Sequence, residues 1–133
     1  MEFNYNIKTE SIPDRKYAKA SVEGKFVITH NAETIFTDEE LLIAELAVEM
    51  SRWIENGKYK SENFIYQTMD SDEDSIFEFR HIEEDVVEFY STWGNSNKTF
   101  SISLSELVLK MEFFVKKIDE ELKRKFRLSL DNI

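Results

Sequence analysis

Asp70, Asp72 and Asp74 alternate along one short stretch, and an acidic triplet of this kind opens an EF-hand calcium loop. The match stops there. The sixth loop position, where the sharp turn needs glycine, is Ser75, and the twelfth, where calcium needs a bidentate glutamate, is His81. The two histidines, His30 and His81, both fall in predicted turns. His81 stands close to Glu83, Glu84 and Asp85, and an imidazole beside carboxylates can act as a base or a metal ligand. A base also needs a cleft and a placed substrate, so a solvated turn histidine is the simpler reading. No His-Glu-x-x-His string occurs, and the chain has no cysteine. Thiolate zinc sites, iron–sulfur ligation, disulfides and cysteine nucleophiles are therefore excluded together. No glycine-flanked serine elbow or glycine-rich phosphate loop is present either. Catalytic residues, metal ligands and cofactors are accordingly none.

Charge and aromatic side chains are what remains. The net charge of −10 is concentrated: residues 33–90 carry seventeen acidic against four basic side chains. Such a field repels nucleic-acid phosphates and anionic lipid and attracts a basic protein. The aromatics sit in runs that alternate as strands do, with Phe64 and Tyr66, Phe77 and Phe79, and Phe89 and Trp93 on shared faces. Most must be core, but a sheet covered on one side leaves an open face, and tyrosine or tryptophan exposed among carboxylates has the composition of a binding hot spot. The candidate partner-binding residues are Asp70, Asp72, Glu73, Asp74, Glu83, Glu84 and Asp85, with Tyr66, Tyr90 and Trp93 as anchors.

The elements that must position these residues follow from periodicity. Phe3, Tyr5 and Ile7 alternate with polar residues, which predicts a first strand. Tyr17–Val22 and Lys25–Thr29 flank Glu23-Gly24, which predicts a hairpin, and residues 30–33 a second turn leading to Ile35-Phe36. Thr37 with Glu40 has the form of a capping box, placing a helix start there. Leu42, Leu46, Met50 and Trp53 give that helix its stripe, and Asn56-Gly57 its end. Strands are expected over 63–69, 75–80, 86–93 and 98–104, with acidic or glycine-containing turns between them. Ser103 and Glu106 form a second capping box, opening a helix over about residues 104–125 with Leu107, Met111, Phe114, Ile118 and Leu122 on its core face. The order βββ-α-ββββ-α predicts a two-layer α+β fold. One antiparallel meander of about six to seven strands packs on two long helices.

At 133 residues, with 41% hydrophobic side chains, the chain is expected to be a single domain, 1–133. Residues 1–7 have neither the basic region nor the apolar run of a signal peptide, and no segment is apolar enough to span a membrane. With no cysteine, this places the protein in the cytoplasm.

In size, acidity, clustered acidic loops and lack of catalytic motifs the chain resembles the small immunity proteins that bacteria encode beside polymorphic toxins. The segment from Thr37 to Ala47, followed by Trp53-Ile54, looks like that of small uncharacterised bacterial proteins. The immunity resemblance implies a non-enzymatic, protein-binding domain that blocks a basic partner such as a toxin domain, and it assigns no residue of its own. Two other readings stay open. One is a small-ligand-binding domain or structural homodimer using the open sheet face. The other is a carboxylate-based hydrolase, which would need a concave pocket and a carboxyl group of strongly raised pKa.

Overall fold

The alternation at the N-terminus does produce a strand, β1 (Glu2–Ile7), and it pairs antiparallel with β2 (Glu23–His30) from Glu2↔Thr29 to Ile7↔Gly24. The computed structural model describes residues 1–67, 76–91 and 100–133. Between β1 and β2, residues Arg15–Ala20 form 3-10 turns rather than the first arm of the expected hairpin. Asp14 starts them, its carboxylate accepting from the Lys16 N–H at 3.0 Å and its carbonyl from the Tyr17 N–H. Only Ala18 of that segment is buried, so alternation there had no apolar face to support a strand. Gly24 is accordingly no turn residue. It lies in β2, where an added Cβ would collide with the Asn6 carbonyl and the Ile7 Cα of β1.

The hairpin that does form joins β2 to β3 (Glu33–Leu42) through Asn31 and Ala32, with His30 paired to Glu33. Both turn residues have positive φ, 51° and 64°, the geometry that matches the right-handed twist of paired strands. Strand β3 runs through the expected capping box. Phe26 pairs with Asp38 and Gly24 with Leu41, so the sheet uses the backbone that a helix start would have needed. Asp38 accepts from the Glu40 N–H, and Glu39 pairs with Lys8 and Lys25. Helix α1 (Ile43–Glu55) therefore starts later, without a side-chain cap, its first N–H donating to the Val22 carbonyl at 2.9 Å. Its apolar stripe is as expected: Leu46, Met50 and Trp53 are buried, and Gly57 follows its end at φ 68°.

Helix α1 carries the chain away from β3, and the next strand starts a second sheet. Strands β4 (Phe64–Tyr66), β5 (Phe77–Glu83), β6 (Val86–Ser91) and β7 (Phe100–Ser103) form an antiparallel meander. The architecture is thus α+β with a three-stranded and a four-stranded sheet, not one continuous sheet. Helix α2 (Leu104–Phe126) follows β7 directly and buries Leu107, Met111, Phe114, Ile118 and Leu122. It packs on α1 and touches β1 and β7. A single apolar core joins everything: the Phe77 ring of the second sheet lies 5.0 Å from Phe36 and 6.2 Å from Phe26 of the first. Phe114 of α2 in turn meets Phe3, Tyr5 and Phe26.

Candidate functional site

Because β5 and β6 turn Phe77, Phe79, Val87 and Phe89 into the core, the residues between them must point the other way. The register places Ile65, Glu78 and Tyr90 in one cross-strand row, and Arg80, Glu88 and Ser101 in the next. This is the outward face of the second sheet. Ile65 is 50% exposed and Ile82, at the bulge between His81 and Glu83, is 48% exposed. Tyr90 is half-buried, with the Arg80 guanidinium carbon 3.9 Å from its ring centroid. Its hydroxyl donates to Glu88 Oε2 at 2.6 Å, and Arg80 Nε donates to Glu78 Oε1 at 2.7 Å. The hydrogen bond to the Glu88 carboxylate pushes the Tyr90 hydroxyl above its ordinary pKa, with desolvation adding to it. The four side chains form one network, and Tyr90 presents a ring already fixed in place.

The other expected site residues divide sharply. Glu83 and Glu84 are exposed at the β5–β6 connection, beside this face. Asp85, the next residue, is engaged at the start of α2. Its Oδ2 accepts from Ser103 Oγ at 2.7 Å, and its Oδ1 from the Ser105 N–H and Oγ at 3.0 and 2.8 Å. Its carbonyl also takes the Leu104 N–H. Hydrogen bonds from Ser103 and Ser105 hold the Asp85 carboxyl below the ordinary aspartate range. It is a helix cap and not a free partner contact. Ser103 still caps the Glu106 N–H, but the Glu106 carboxylate faces the Met1 amine instead.

Tyr66 is no anchor. It is 0% exposed, its ring packs 5.5 Å from Phe77, and its hydroxyl donates to Glu45 Oε1 at 3.1 Å. Burial of Glu45, 3% exposed on α1, was legible only as one carboxylate inside the apolar run from Ile43 to Val48. Arg80 stacked on Tyr90 carried no sequence signal, because the pairing depends on register. Asp70, Asp72, Glu73, Asp74 and Trp93 lie outside the described residues.

The histidines are both strand residues rather than turn residues. His81, in β5, places Nε2 2.6 Å from the Tyr59 carbonyl, and its backbone N–H donates to Asn63 Oδ1. His30 ends β2 with its ring 5.6 Å from Phe100. Among the described residues, no group of three His, Asp or Glu side chains could hold a metal ion, and no helix is long and apolar enough to cross a membrane.

A family described as a domain of unknown function, DUF7878, matches residues 1–124. The chain belongs to that family. No curated protein and no solved structure gives a significant match.

Proposed function

We propose that this DUF7878 chain is a non-enzymatic, cytoplasmic protein-binding module of the immunity or inhibitor type, which takes a basic partner on the open face of the β4–β7 sheet. The observation that supports this reading is the Tyr90–Arg80 stack, held by Glu78 and Glu88 and flanked by exposed Ile65 and Ile82. Tyrosine and arginine dominate binding hot spots, and a ring that is fixed before binding loses little freedom on contact. Glu83 and Glu84 stand at the adjoining turn, so the approach to the anchor is acidic. A basic cleft on a toxin domain would be both the complementary surface and the one worth blocking.

The test is capture of partners on the purified protein at low and high salt, followed by binding kinetics with variants. One basic protein should be held at low salt, released at high salt, and inhibited in the complex. Tyr90→Ala should raise its off-rate by about tenfold or more, while Glu83→Gln with Glu84→Gln should slow association and flatten its salt dependence. A partner whose kinetics are unchanged by both would falsify the assignment of this face. Sedimentation of the same samples covers self-association: a dimer broken by Tyr90→Ala would put a second copy of the chain on the face in place of a foreign partner.

A further inference from the structure

Helices α1 and α2 and the C-terminal turn enclose a cleft of about 290 Å³ on another part of the surface. Ile54, Val115 and Leu130 give it an apolar lining, and Glu55, Glu112 and Asp131 stand around them. None of these three carboxylates makes an ion pair among the described residues, although Glu2, Glu39, Glu49, Glu78, Asp119 and Glu121 all do. The one cation on the lining is Lys116. The cleft is therefore a short apolar channel whose mouth carries more acid than base, with Lys116 on the lining and Lys123 in the field of Asp131 offsetting part of the charge.

Its outer wall is built deliberately. Arg127 adopts a left-handed conformation, φ 56°, which turns the chain back, and Leu128 is buried. Asp119 then accepts from the Leu130 N–H at 2.9 Å and from Ser129 Oγ. Although burial pushes the Asp119 carboxyl up, the Leu130 N–H, Lys123 and Ser129 outweigh it and hold it below the ordinary range. Asp119 is thus committed to the wall, and Ser51 Oγ donates to Glu55 Oε1 at 3.1 Å, which leaves Glu112, Asp131 and the second oxygen of Glu55 for a ligand. The wall lies beyond the residues that match the family, 1–124.

We infer that this cleft seats one lysine or arginine side chain of a basic protein partner, an inference that rests on the protein-binding reading above. The space lies at the small end of ligand pockets, about 300 Å³, and can take a single long side chain. The methylene stem would lie along Ile54, Val115 and Leu130, with the cationic head among the carboxylates, the way such side chains divide between apolar surface and water. Arginine would gain most, because its planar fork can bridge two carboxylates.

The experiment is a titration of the full ¹⁵N-labelled chain, followed by NMR, with blocked tripeptides carrying arginine, lysine, norleucine or glutamate between two alanines. The arginine and lysine peptides should shift the amide signals of Ile54, Val115 and Leu130 and lose affinity at about 0.5 M salt. Norleucine should bind about fivefold more weakly, glutamate not at all, and Glu55→Gln with Glu112→Gln should weaken arginine binding about fivefold. Shifts spread evenly over the acidic surface, or a double variant that binds equally well, would overturn the site. The same double variant in the partner capture keeps the two readings apart. Cleft binding by a protein that captures no partner removes the protein-binding function but leaves the cleft. A partner held equally by wild type and double variant removes the cleft and leaves the function.

Discussion

Arg80 and Tyr90 become neighbours only because β5 and β6 pair Glu78 with Tyr90, which brings the guanidinium over the ring from the next row. A one-residue slip of β5 would send Arg80 into the core and Phe79 outward, and a slip of β6 would do the same to Tyr90 and Phe89. The site is therefore as well defined as the register, and the buried phenylalanines fix the register. The same alternation explains why Tyr66 and Tyr90, equally aromatic in sequence, have opposite fates: β4 turns Phe64 and Tyr66 inward and Ile65 outward. Residue-scale strain gives a sharper test. Ala32 sits at φ 64°, where its Cβ is crowded, in a two-residue turn that favours Asn-Gly. Asn31 already occupies the first position, so Ala32→Gly should stabilise the chain by about 1 kcal/mol, read as a higher urea midpoint with unchanged slope. An unchanged or lower midpoint would mean that the added freedom of the unfolded glycine cancels the relief.

Among the elements, α2 depends on a cap from outside its own sequence. Asp85 reaches it from the β5–β6 connection, so helix start and hairpin are tied together. Its carboxyl is held below the unfolded value of about 3.9. A depressed carboxylate contributes its stability in full above the unfolded pKa and loses it as pH falls through the folded one. The gap in urea midpoint between wild type and Asp85→Ala should therefore be widest near neutrality and narrow below about pH 4. A gap independent of pH would show that the Ser103 and Ser105 bonds do not need the charge. Legibility in sequence also divides at this scale. The core face of α2 could be read from Leu107 to Leu122, because five apolar residues at helical spacing have only one way to be buried; Leu104, buried in its first turn, was not among them. The start of α1 could not, since Thr37 to Glu40 satisfies a capping rule and a strand equally well. Pairing with β2, a contact distant in sequence, decided between them. Asp85 was misread for the same reason: an acidic turn looks alike whether it faces solvent or the N–H groups of a helix that begins nineteen residues later.

For the whole molecule, the question is whether two separate sheets fold as one body. Local pattern predicted β1 and the strands of the second sheet but not which of them share a sheet, because that depends on where α1 leads the chain. Phe77 is where the two halves meet. Its ring touches Phe26 and Phe36 of the three-stranded sheet, and Phe64, Tyr66, Phe79 and Phe89 of its own. Removing it should open a cavity that neither sheet can close alone, costing about 3–5 kcal/mol. If the core is one cooperative unit, Phe77→Ala should speed hydrogen exchange in β2, at Phe26 and Ile28, as much as in β5 and β6, with a single unfolding transition. Faster exchange confined to β4–β7 would show that the first sheet, with α1, stands without the second. The binding face would then be carried by the less stable half, and the rigidity of the Tyr90 anchor would have to come from the β5–β6 ladder alone.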